Sequence, residues 1–389
     1  VKRTLIFTAL LLAPGCNAGF VTPADDDDVA LADDDDSTAA DDDDSTAAND
    51  DDSTVANDDD STAANDDDST VANDDDSTVA NDDDSTVADD DDATLPPLPA
   101  VRWVAIGDTG EGNADQLAVA GAIEGVCAAQ GCDFALMLGD NFYDVGVEDV
   151  NDPLWQTMFE TPYQNLQMPF YPTLGNHDGG ALGTGLDVFR GNVQVAYTTS
   201  TTTNWTMPDR YYGHTHDNVD FFSLDTSLMF FDGFPIITSL NDAQETWLAG
   251  ALAEATGDWK IAYGHHPYLS NGPHGNAGNY EGLPSFTPYA AGTEIKDFMD
   301  ANVCGNVDLY ICGHDHSRQW QVNTCAGTEL IVSGAGAKRT DIEGSNPVYW
   351  QDTDDDMEGF VWFEVIGNTI TVEFWNKNGV LDYTGSWTK

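Results

Sequence analysis

Five places in this 389-residue chain set a glycine at the end of an apolar run and follow it with a side chain able to hold a metal ion. They are Gly107-Asp108-Thr109-Gly110, Gly139-Asp140-Asn141-Phe142-Tyr143, Gly175-Asn176-His177, Gly264-His265 and Gly313-His314-Asp315-His316. Taken singly, each reads as an ordinary turn at the end of a strand. Together, and in this order, they bring carboxylate, phenol, amide and imidazole donors to five strand ends. Clustered oxygen and nitrogen donors of that kind suit a metal centre that polarises substrate and activates water.

Elements of regular spacing must position them. Val101–Ile106, Phe134–Leu138 and Met168–Leu174 are short apolar runs that read as buried strands, with a helix expected over Ala114–Ala128. Val219–Leu224, Trp259–Tyr263 and Val307–Cys312 repeat the theme. Helices are expected over Asp242–Ala255, with Asn241 as its N-cap, and over Thr293–Ala301. Glu329–Gly334, Phe360–Ile366 and Thr369–Trp375 alternate as antiparallel strands do, and Thr184–Tyr212 carries little pattern. Strand–helix alternation with polar residues at strand C-termini indicates an α/β fold with its site at the carboxyl edge.

Three domains follow from composition: 1–24, a leader and short spacer; 25–97, a linker; and 98–389, a single large domain with a full core. The linker reads as nine copies of (N/D)DDDST(A/V)A, the first and last degenerate, with 31 Asp and no Lys, Arg or aromatic residue between Asp25 and Pro96. It has too little apolar surface to offset chain entropy, and is expected to be an extended tether. The formal charge is −58; setting aside those aspartates and Lys2 and Arg3 leaves 39 acidic and 10 basic residues. So acidic a protein is not expected to bind nucleic acid, and any phosphate ligand needs local positive charge.

Lys2 and Arg3 followed by the apolar Thr4–Leu12 read as an export signal. Leu12-Ala13-Pro14-Gly15-Cys16 resembles a bacterial lipobox with its leucine one place early, implying a lipid on Cys16; the alternative is a secretory signal cut near Ala18. Lipid anchoring at the cell envelope, or else a periplasmic or secreted protein, is therefore expected. Among the remaining cysteines, Cys304 with Cys325 and Cys127 with Cys132 are the expected disulfides, and Cys312 a buried thiol.

The ordered motif set resembles the calcineurin-like metallophosphoesterases. Tyr143, three residues after Asp140, narrows the resemblance to purple acid phosphatases. Leu138–Tyr143 followed by Gly146-Val147 and Asp152, Cys312–His316 and Ser333-Gly334-Ala335-Gly336 are similar to the small, tartrate-resistant type. The resemblance spans roughly Val101 to Trp375. It implies a four-layer αββα sandwich of two mixed sheets flanked by helices. It also implies a binuclear centre in which Asp108, Asp140, Tyr143 and His316 hold Fe(III). Asp140 would be shared with Asn176, His265 and His314, which hold Fe(II), Zn(II) or Mn(II). Carboxylate and phenolate are hard donors suited to Fe(III), and imidazole and amide suit the divalent ion. Two such ions acidify a water for in-line attack and clamp the phosphate.

His177 and His274 match the family's substrate histidines and are the catalytic candidates. His266 either lines the pocket or fills structure; Asp178 orients His177 or caps a turn; His214 and His216 share one strand face and are expected to be exposed. The segment from Asp225 to Asn241 is short, so no proteolytically activated loop is expected there. The expected reaction is hydrolysis of phosphomonoesters, small phosphorylated molecules, by a monomer. A phosphodiesterase or nucleotide hydrolase on the same fold is the alternative, and a cation-binding display protein built on the aspartate repeat a third.

Overall fold

The apolar runs become strands because both of their faces are covered. A computed structural model describes residues 99–180, 187–200, 204–232, 235–283, 291–353 and 358–389. The leader, Cys16 and the aspartate repeat lie outside these residues.

One sheet has six strands. Its parallel core is β1 (Ala100–Ile106), β2 (Phe134–Leu138) and β3 (Phe170–Thr173); on the other side of β1 an antiparallel run adds β11 (Gly359–Ile366), then β12 (Thr369–Asn376), then β13 (Leu381–Thr388). The second sheet has seven strands in the order β10-β8-β9-β7-β6-β5-β4. Here β5 (Val219–Ser223), β6 (Trp259–Tyr263), β7 (Leu309–Cys312) and β9 (Glu329–Ser333) run parallel. The antiparallel strands β4 (Tyr212–His216), β8 (Arg318–Gln321) and β10 (Val348–Gln351) complete it.

Alternation along the strands builds the layers. Val101, Trp103 and Ala105 of β1 face the second sheet, where they pack with Phe221, Ile261 and Ile311. Val104 and Ile106 face the other way, onto Val119, Ile123 and Val126 of helix α1 (Ala114–Gln130). On the far side, Phe222, Ala262 and Tyr310 meet Leu248 of helix α3 (Pro235–Glu254) and Ile295 and Phe298 of helix α4 (Thr293–Phe298). The result is the expected sandwich of helices, sheet, sheet and helices.

Both expected disulfides are present, Cys127–Cys132 and Cys304–Cys325, and Cys312 is a buried thiol. Helix α3 begins at Pro235, so Asn241 is not its N-cap; proline at a first helical position costs no hydrogen bond, and Asn241 instead donates to Asp232. In the stretch that carried little pattern, helix α2 (Asn192–Ser200) lies over Trp155, whose ring stacks at 3.5 Å on Tyr197.

His214 and His216 are not exposed as expected. Both are half-buried, because β3 and β4 are edge strands and their rings fill the gap between the two sheets. His214 stacks on Tyr171 at 3.9 Å and His216 on Phe134 at 4.0 Å. Burial holds His214 well below the ordinary imidazole value of 6.5, with His216 adding to the effect. The unfolded chain therefore binds a proton there that the folded chain refuses, and the ring's contribution to stability is complete above pH 6.5 and lost as pH falls below it. His214→Phe should flatten the decline of melting temperature between pH 6.5 and 5, measured by thermal unfolding across that range; an unchanged slope would place the acid sensitivity elsewhere.

Candidate metal centre

The parallel strands of both sheets deliver the donors to one place. Asp108, Asp140 and Asn176 follow β1, β2 and β3; His265 follows β6, and His314 and His316 follow β7. Bonds across the sandwich close the gap between sheets: Gly107 N–H donates to Ser333 O at 2.8 Å, His314 N–H to Asp108 Oδ2 at 2.9 Å, and His265 Nδ1 to Leu138 O at 2.8 Å.

Aiming the donors strains the backbone. Asp108, Asp140 and His314 have φ of 58°, 50° and 72°. Each such residue costs about 1–3 kcal/mol unless its surroundings compensate. The flanking glycines are required by close approach. A Cβ on Gly175 would lie 2.0 Å from Asp140 Oδ1, and one on Gly313 2.5 Å from Asp108 Oδ2.

The seven expected ligands fall into two groups joined by Asp140. In the first, Tyr143 Oη lies 3.1 Å from Asp108 Oδ1, 3.0 Å from Asp140 Oδ2 and 3.2 Å from His316 Nε2. In the second, Asn176 Oδ1 lies 2.9 Å from His265 Nε2 and 3.1 Å from His314 Nδ1, and these two nitrogens are 3.1 Å apart. His265 Nε2 is also 3.3 Å from Asp140 Oδ2.

The donor chemistry fits cations. The Leu138 carbonyl can only accept, so it takes the Nδ1 proton of His265 and leaves Nε2 as a lone pair facing an amide oxygen and a carboxylate. Acceptors packed this closely need positive charge between them. In the protein alone a proton supplies part of it: burial works against it, but Asp140 and then Asp108 raise His265 to about 9. Burial, aided by Asp140, pushes Asp108 up to about 7 even against the charge of His265. Burial also keeps His314 and His316 well below the ordinary imidazole value, with the neighbouring imidazoles adding to it at His314 and Lys338 at His316. Cations would displace the shared protons.

The remaining candidates surround this cluster. His177 donates through Nδ1 to the Asp144 carbonyl at 2.9 Å, and its ring lies 4.4 Å from Tyr143. The His274 ring lies 4.1 Å from His314. His266 is buried, with Nδ1 2.8 Å from Thr226 Oγ1 and its ring 4.5 Å from His314. It thus packs directly against an expected ligand.

Asp178 neither orients His177 nor merely caps a turn. Fully buried, it accepts N–H bonds from Gly175 at 2.8 Å, Asn141 at 3.1 Å and Phe142 at 3.2 Å, and Gln194 donates to it at 2.7 Å. One carboxylate thereby fastens the Asp140–Tyr143 loop to the Asn176 loop. Lys338 was not anticipated either. Its Nζ lies 3.7 Å over the Tyr143 ring and 2.9 Å from Glu111 Oε1, a cation beside the first group of donors. No spacing rule reaches across the 195 positions between Lys338 and Tyr143.

Residues 101–318 match the calcineurin-like phosphoesterase family model. The chain is 30% identical over 314 residues to tartrate-resistant acid phosphatase type 5 of Homo sapiens, covering 72% of this chain and 89% of the relative. To purple acid phosphatase 3 of Arabidopsis thaliana it is 30% identical over 257 residues, covering 61% of this chain and 63% of the relative. Among solved structures, purple acid phosphatase PPD1 from yellow lupin seeds aligns with a TM-score of 0.55 at 16% identity, covering 75% of this chain and 54% of that one. GAP50, described as the anchor in the inner membrane complex of Plasmodium, aligns at 0.57 and 24% identity, covering 74% and 89%. Those two likenesses concern the fold alone, which by itself fixes no activity.

Asp178→Asn puts an N–H donor among N–H donors that need an acceptor. Metal affinity, measured against a competing chelator, should fall by about 10–100-fold while unfolding stays cooperative. Unchanged affinity would show that the two loops hold their shape without it.

Proposed function

This chain belongs to the calcineurin-like phosphoesterases, a metal-dependent phosphatase related to the tartrate-resistant and purple acid phosphatases, and we propose that it hydrolyses phosphomonoesters outside the cytoplasm. The observation that carries this reading is the double donor set pivoting on Asp140. Asp108, Asp140, Tyr143 and His316 would hold the harder ion, Fe(III). Asp140, Asn176, His265 and His314 would hold a divalent one, Fe(II), Zn(II) or Mn(II). Two cations held there would supply positive charge for the phosphate and lower the pKa of a water.

The chain's own residues do the rest. His177 and His274 flank the donors on opposite sides, one against Tyr143 and the other against His314. Such flanking imidazoles can hold phosphate oxygens and meet the leaving oxygen, which needs a proton or an electrostatic partner as the ester bond breaks. Lys338 adds positive charge on the Tyr143 side. In a protein this acidic, that charge is local and scarce, which favours compact anionic groups over long polyanions.

The two disulfides support an oxidising compartment, in keeping with the export signal and with Cys16 as a lipid attachment point. On this reading the aspartate repeat is a tether that takes no part in catalysis.

Three outcomes follow. Rates on a monoester should exceed those on a diester of the same leaving group; the reverse would make the chain a phosphodiesterase. The iron-loaded protein should show a visible phenolate-to-Fe(III) band that Tyr143→Phe abolishes. Full activity with zinc or manganese alone and no such band would remove iron from the reading. Deleting residues 25–92 should leave turnover unchanged, and its collapse would give the repeat a role in the site.

A further inference from the structure

The two flanking histidines are held through the same ring atom but by different partners. His177 has Nδ1 on the Asp144 carbonyl. His274 has Nδ1 on Oε1 of Glu281, seven residues further along the chain. Carbonyl and carboxylate oxygens accept only, so each ring gives them its Nδ1–H. Any other proton that ring carries sits on Nε2, the atom left for the substrate.

Considerable structure is spent on the His274–Glu281 contact. Glu281 has φ 55°, a conformation that a side-chain-bearing residue keeps only where its surroundings impose it. Its N–H donates to His274 O at 3.0 Å, closing the loop on itself. His274 N–H donates to Asp315 Oδ1 at 2.9 Å, and Asp315 is fully buried between the ligands His314 and His316. Neighbouring Tyr280 is buried and pinned through its hydroxyl to Pro267 O. Yet the pair itself is open to solvent, the His274 and Glu281 side chains being 37% and 39% exposed. An ion pair that exposed adds little stability. A strained turn kept for so little stability indicates that the contact serves orientation.

We propose that Glu281 is a positioning residue: it fixes the ring of His274 with Nδ1 turned away from the donor cluster, so that Nε2 meets the leaving oxygen of the substrate. This rests on the phosphatase reading above. His177, held by a neutral carbonyl on the Tyr143 side, is left to steady the phosphate. The division of labour between the two histidines is thus set by what each Nδ1 touches.

The test uses the metal-loaded full chain and two monoesters, p-nitrophenyl phosphate, whose leaving oxygen needs little help, and glycerol phosphate, whose leaving oxygen needs much. Glu281→Ala should lower kcat on glycerol phosphate by about 10–100-fold, with a much smaller loss on p-nitrophenyl phosphate and little change in KM. Glu281→Gln, whose amide oxygen still accepts, should recover most of it. Added to His274→Ala, Glu281→Ala should cost nothing more, because the two act through one ring. Equal losses on both esters, no recovery with glutamine, or additive losses would each overturn the proposal. A second measurement needs no turnover: nitrogen NMR of the zinc-loaded protein should show His274 protonated at Nδ1, and less so in Glu281→Ala. If the unaltered chain hydrolyses neither ester, the phosphatase reading fails, and the spectrum still decides for or against Glu281.

Discussion

One buried carboxylate joins the halves of this site. Asp140 Oδ2 lies 3.0 Å from the Tyr143 hydroxyl on one side and 3.3 Å from His265 Nε2 on the other, while Oδ1 accepts the His177 N–H at 2.9 Å. Burial alone would raise its pKa, but His265 above all, together with the His177 N–H on Oδ1, holds it well below the usual carboxylate range. Keeping a charged oxygen at that point, with Asp108 beside it, requires cations or protons on both sides. Much of the local structure serves that requirement. Two sheets must meet at their carboxyl edges, three of the donor residues must accept left-handed backbone, and glycine is needed at 175 for the Asp140 side chain to fit.

Much of this was legible because the donor residues sit at the ends of buried strands. Val101–Ile106 and Phe134–Leu138 read as strands since both faces pack, giving unbroken apolar runs, and the polar residue after each glycine stood out against them. The order and type of those residues then carried the family, and with it the sandwich and the pairing of donors. The disulfides were legible from cysteine position alone.

What stayed hidden depends on contacts that leave no period in the sequence. Asp178 works through N–H groups of a loop nearly forty residues away, and Lys338 reaches Tyr143 from beyond the last motif. His214 and His216 looked like the outer face of a hairpin, because one strand's alternation does not reveal that a second sheet closes over its edge. The start of α3 was misplaced because Asn241 is a good capping residue by type, whereas Pro235 opens the helix two turns earlier.

The central claim is that Asp140 serves two cations at once, and metal stoichiometry tests it most directly. Elemental analysis of the loaded, desalted protein should give two ions per chain for the unaltered sequence, about one for Asn176→Ala, and close to none for Asp140→Ala with the fold intact. A single ion in the unaltered chain, or an Asp140→Ala variant that keeps one ion at full affinity, would contradict it.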